Sequence, residues 1–212
     1  SIIGIAGASA LVNSLPEITY AVDKTVTIDK VPLGKTGLTV PRIALGTGTR
    51  GWKNASDQTR LGMANFVKLA RYAYDKGICF LDTADMYGSH TYAREALKEI
   101  PRDKVTVLTK VMVYDQAGWY TAEPFEKSLD RFRKELGTDH IDIFLMHCMM
   151  NGQWPIQYRQ YMDGLSEAKA KGIIKTVGIS CHNIDALKEA TTNNWVDVIL
   201  ARINHKGARM DG

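Results

Sequence analysis

Cysteine is scarce in this chain. Cys79, Cys148 and Cys181 are its only three, an odd number with no framework spacing. That excludes a disulfide-stapled scaffold and points to free thiols. Blocks of like charge are missing too, and a net charge of +4 spread along 212 residues gives no basis for a nucleic-acid or membrane-surface partner. No apolar run reaches the roughly 20 residues that an integral membrane span needs. The longest, residues 2–15 (IIGIAGASALVNSL) ahead of Pro16, suits the hydrophobic part of a secretory signal instead, with Thr19-Tyr20-Ala21 a passable cleavage site. Residues 1–26 are therefore expected to be a signal-like leader or a disordered segment, and residues 27–212 the folded part. Export to a periplasm follows if the run is a signal remnant, and a cytoplasmic location otherwise. With no Met and no basic stretch ahead of Ser1, the true start is expected to lie upstream.

What is present is ordinary globular material. At 45% hydrophobic and 24% charged, the chain can bury one core. Residues 27–33 and 38–44 are strand-like around Gly34-Lys35-Thr36-Gly37, whose glycines allow a hairpin turn. Beyond them short apolar runs alternate with amphipathic stretches. Strands are expected over 43–46, 79–82, 105–110, 141–147, 175–180 and 195–203, and helices over 57–76, 90–100, 122–136, 156–171 and 185–192. Such alternation implies right-handed crossovers and a parallel sheet, either doubly wound or closed as a barrel. A doubly wound dinucleotide fold needs a glycine turn leading straight into a helix. Gly46-Thr47-Gly48-Thr49-Arg50-Gly51 has the glycines but neither that helix nor an acidic ribose partner.

Period-two alternation adds a sharper constraint, because residues two apart on a strand share a face. Asp82 shares its face with Phe80, Lys110 with Leu108, His147 with Leu145 and Ile143, and Ser180 with Gly178. Four successive strands thus end in Asp, Lys, His and Ser above uncharged inner faces. The carboxyl ends of parallel strands are where α/β folds carry out chemistry.

The segments PLGKTGLTV, IALGTG, DTADMYG, VTVLTKV, IDIFLMH and VGISCHN, in this order over about residues 30–206, resemble the aldo-keto reductases. The resemblance implies a (β/α)8 TIM barrel with an N-terminal β-hairpin, here incomplete with about six of eight strands, that reduces a small carbonyl substrate with NADPH, NADH being possible. It maps the family's catalytic residues onto Asp82, Tyr87, Lys110 and His147. Hydride delivery builds negative charge on the carbonyl oxygen, so a proton donor must stand beside it. Tyr87 is expected to be that acid, Lys110 to tune it, Asp82 to anchor Lys110, and His147 to orient the carbonyl. For the cofactor the resemblance implicates Gly46 and Thr47 after the first barrel strand and Ser180 and Cys181 after the fifth. Cys181 stands where the family commonly has Asn, and Leu200 where it has Gln, so Arg202, two residues on, is expected to supply donors instead. Six strands leave an eight-stranded barrel open. The chain is therefore expected to be part of a longer protein, a truncated product or one completed by a partner, and to bind the dinucleotide poorly as it stands.

Other features fit less specific roles. His147-Cys148 and Cys181-His182 end neighbouring strands and could offer N and S ligands, but alternation aims both cysteines away from the face of His147, so no metal is expected. Trp119, Tyr120 and Trp154 fall in loops on the mouth side and are expected to line a substrate pocket. Met146, Met149 and Met150 suit core packing and loop lining. A non-catalytic nicotinamide-binding or regulatory barrel, and an inactive structural fragment, are the competing functional readings.

Overall fold

The computed structural model describes residues 28–203 and 205, so the expected leader and Thr27 lie outside the described residues. The chain opens with an antiparallel hairpin, β1 (Lys30–Pro32) with β2 (Thr39–Pro41). Its turn needs positive φ at Gly34 (54°) and Gly37 (77°), which glycine adopts without a Cβ penalty. A six-stranded parallel sheet follows in strict chain order: β3 (Leu45–Gly46), β4 (Phe80–Asp82), β5 (Thr106–Met112), β6 (Ile141–Met149), β7 (Ile174–Cys181) and β8 (Val198–Leu200). Every pairing is parallel. The sheet curls into a half-barrel, with the expected alternation of strand and helix.

The helices are α1 (Asp57–Arg60), α2 (Met63–Asp75), α3 (His90–Leu97), α4 (Phe125–Leu136), α5 (Trp154–Gln157), α6 (Arg159–Ala170) and α7 (Ile184–Thr192). Two expected helices are each divided. The stretch 57–76 breaks at Gly62, whose φ of 80° is incompatible with a continuing helix, and 156–171 begins earlier and breaks at Tyr158. Helix α4 starts only after Pro124, which lacks an N–H and stands at its N-cap. Strand β8 is only three residues long, shorter than the expected 195–203.

Alternation sorts the strand side chains into two cores. The outer faces of β4 to β7 bury Leu81, Val107, Phe144, Met146 and Val177 against the helices. Phe132 of α4 stacks on Phe144 with ring centroids 5.5 Å apart, and Phe125 meets the same ring edge-on at 5.6 Å. Burying each such ring contributes about 1.5–3 kcal/mol, which fixes α4 over β6. The inner core is smaller. Leu108, Ile143 and Leu145 gather with Phe80 and Val198, and Leu33 and Leu38 of the hairpin pack onto them. The hairpin therefore covers the inner apolar layer from the amino-terminal side and leaves the strands' carboxyl ends to form the mouth.

Candidate active site

Lys110 lies on the inner face of β5, paired with Leu145, and only 1% of it is exposed. Its Nζ donates to the Asp82 carboxylate and to the Thr83 carbonyl at 2.8 Å. Burial pulls the ammonium's pKa down, and the Asp82 charge works against that pull. Thr83 is itself fixed across the strands, its N–H and its hydroxyl both donating to the Leu108 carbonyl. Lys110 and His147 each stand two residues before the end of a strand that runs further than expected.

Tyr87 arrives from a 3-10 turn, Asp85–Tyr87, that ends at Gly88 with φ 64°. The turn is held from outside the barrel. Arg131 donates to both Asp85 oxygens at 2.7 and 2.9 Å, and the Tyr120 hydroxyl adds a bond at 3.1 Å. The Tyr87 ring lies 4.9 Å from Lys110 Nζ and meets the His147 ring edge-on with centroids 5.7 Å apart. Burial first, then the Asp82 charge, pushes the phenol's pKa upward. This is opposite in sign to the tuning expected from Lys110. Lys110 is itself desolvated and paired, so at rest its charge is largely answered by Asp82.

His147 shares the inner face with Met112 and is 3% exposed, and its Nδ1 is buried with no hydrogen-bond partner. Burial, then the Lys110 charge and His182, hold its pKa well below the usual imidazole value, so the ring is neutral. Tyr87, Lys110, Asp82 and His147 thus converge at the carboxyl ends of β4, β5 and β6.

The residues expected to hold a cofactor are less uniform. Gly46 pairs with Asp82 at the mouth, with open space where a Cβ would stand. Thr47 is fully buried. Its hydroxyl bonds the Asp82 carbonyl and Ser89, both at 2.8 Å, which ties β3 to β4. Ser180 faces inward, but its Oγ accepts the Cys148 N–H at 2.8 Å. Cys181 is 0% exposed and packs in the outer core, so alternation takes it away from the mouth. Arg202 lies exposed beyond the end of β8. Of these residues Gly46 and Ser180 stand at the strands' carboxyl ends on the inner side, whereas Thr47 and Cys181 are enclosed.

Two expectations about loop residues need correction. Trp154 is no pocket wall: it is fully enclosed at the start of α5, and its Nε1 donates to the Ala186 carbonyl at 3.3 Å. Cys148 does not point away from His147. The β6–β7 register shifts between Met146 and Met149, and Cys148 takes φ 62°. That bulge turns Sγ to the inner side, within 4.8 Å of a ring nitrogen of His147. Sequence reasoning also gave the glycines after β3 no role. A Cβ on Gly48 would stand 2.2 Å from the Tyr87 ring and one on Gly51 2.5 Å, so these two residues form the slot in which the ring lies.

A curled parallel sheet with ionisable groups gathered at its carboxyl end defines a protein of the β/α-barrel class. The chain belongs to the aldo/keto reductase family, whose sequence profile matches residues 42–210. It is 27% identical over 194 residues to the NADH-specific methylglyoxal reductase of Escherichia coli (strain K12), covering 82% of this chain and 58% of that protein. It is 28% identical over 162 residues to the NAD/NADP-dependent indole-3-acetaldehyde reductase of Schizosaccharomyces pombe, covering 72% and 51%. The holo form of an aldo-keto reductase from Bacillus halodurans shares the fold, with TM-score 0.64 and 24% identity over 81% of this chain and 56% of that one. The chain spans about half the length of the curated relatives it matches. Among the described residues, no helix is long and apolar enough to cross a membrane.

Proposed function

We propose that the mouth reduces an aldehyde or ketone with hydride from a nicotinamide dinucleotide, NADPH or NADH. The observation that carries this is the convergence of Tyr87, Lys110, Asp82 and His147 on one inner surface of a family member. Relatives whose names specify NADH, or NAD and NADP, support the cofactor class. When bound, the cofactor supplies the hydride, and the chain's residues do the rest. The raised Tyr87 phenol keeps its proton at neutral pH and can donate it as charge grows on the carbonyl oxygen. Lys110 acts at that moment, its ammonium favouring the phenolate left behind, and Asp82 keeps it in place. The neutral His147 ring orients the carbonyl by hydrogen bonding.

The test is a fluorescence titration of the gene product with NADPH and NADH, followed by carbonyl turnover in the parent and in Tyr87→Phe. Turnover is expected to fall at least about 100-fold in the variant, the scale of lost general-acid catalysis. Dinucleotide affinity should be unchanged. A variant that turns over like the parent would remove Tyr87 from the chemistry. Dinucleotide binding with no turnover in either would favour a non-catalytic nicotinamide-binding barrel.

A further inference from the structure

We propose that His147, Cys148 and His182 bind a borderline-soft divalent cation, of which Zn2+ is the best match, and that a cation held there withdraws His147 from the carbonyl and stops turnover. One ring nitrogen of each histidine and the Cys148 Sγ lie within 4.8 Å of one another. Two imidazoles and a thiolate are the donor types that zinc prefers over calcium or magnesium, and three protein ligands leave a fourth position for water. Zinc bond lengths place tetrahedral donors about 3.5 Å apart, so donors within 4.8 Å of one another close by at most about 1.3 Å when the ion enters.

The backbone sets up this meeting. Without the bulge after Met146, Cys148 would face the helix layer, and the positive φ at Cys148 is the specific turn that brings Sγ inward. His182 follows the last residue of β7, and its N–H donates to the Met149 carbonyl at 3.0 Å, tying the two strand ends that carry the donors. The buried His147 ring has an Nδ1 without a hydrogen-bond partner, so no such bond on that side opposes its turning toward a ligand. Cys148 loses its proton to solvent as the ion binds, which supplies one negative charge, and the Lys110–Asp82 pair adds none. The other donor cluster, Asp85, His90 and Glu135, differs in kind. There the Arg131 guanidinium already bonds Asp85 and Glu135 and occupies the place of a cation.

Binding stands independently of the proposed reaction, and only the loss of turnover rests on the role assigned to His147. The probe is Co2+, which gives a thiolate-to-metal charge-transfer band when sulfur binds it. The parent and Cys181→Ser are expected to show that band saturating at one ion per chain, with Zn2+ displacing cobalt. Cys148→Ser should lack the band, and His182→Ala should bind at least tenfold more weakly. Absence of saturable cobalt binding, or a band that survives Cys148→Ser, would overturn the site. A readout free of substitutions guards against misfolded variants: Zn2+ should slow alkylation of Cys148 in the parent, mapped by mass spectrometry, and an unchanged rate counts against the site. Where turnover is present, micromolar Zn2+ should abolish it and a chelator restore it. Stoichiometric binding that leaves turnover intact would overturn the inhibitory step alone.

Discussion

Lys110 shows how one residue links stability to chemistry. An ammonium with 1% exposure persists only because Asp82 and the Thr83 carbonyl replace its lost water. Breaking a buried ion pair by removing one partner costs about 3–5 kcal/mol. The Asp82 side chain is 25% exposed, which moves the expectation to the lower end of that range. Asp82→Ala should therefore destabilise the fold by about 3 kcal/mol in urea unfolding. Asp82→Asn keeps an acceptor for the ammonium and should lose less, and Lys110→Met, which removes the buried charge itself, should lose less than Asp82→Ala. An Asp82→Ala chain as stable as its parent would mean that Lys110 is neutral in the fold and cannot act as a cation on Tyr87.

At the scale of elements, period-two alternation makes much of the molecule legible in the sequence. It sorted Phe80, Leu108, Ile143 and Leu145 onto the inner face, and it placed Asp82, Lys110 and His147 above them. It failed where a strand stops being regular. The Cys148 bulge depends on how β6 and β7 register against each other, a long-range property that no local pattern encodes. Trp154 was misplaced for a related reason, since only the packing of α5 beneath α7 reveals that a residue in an apparent loop is core. The glycines after β3 looked like a dinucleotide fingerprint lacking its helix, whereas their use is to admit the Tyr87 ring. Gly48→Ala tests that account. Its Cβ would stand 2.2 Å from the ring, so Tyr87 must leave its place beside Lys110 and His147. Turnover is expected to fall at least about tenfold, as misplacing a reacting group does, with stability lowered by about 1–3 kcal/mol. A fully active Gly48→Ala enzyme would show that the slot does not position the phenol.

The whole molecule responds to acid through groups at the two ends of its central strand. Asp142 at the start of β6 is buried, yet Arg102, Lys175 and the Val107 N–H overcome burial and hold its pKa below the ordinary 3.8. Its contribution is present above that value and lost as pH falls through the folded one. His147, near the other end, is also depressed, from an ordinary 6.5, with burial the largest cause. Between its folded and unfolded pKa the unfolded chain binds more protons, so stability rises with pH there and declines as pH drops below about 6.5. The slope from one such group is at most about 1.4 kcal/mol per pH unit. Two phases of acid loss should result, an imidazole phase below about pH 6.5 and a carboxylate phase below about pH 4. Urea unfolding between pH 8 and pH 5 isolates the first. The parent should lose stability across this range, and His147→Gln, which carries no titrating ring, should give a flatter profile. Equal slopes in the two proteins would mean that His147 gains no proton on unfolding, and a ring protonated in the fold could not serve as the neutral group that orients the carbonyl.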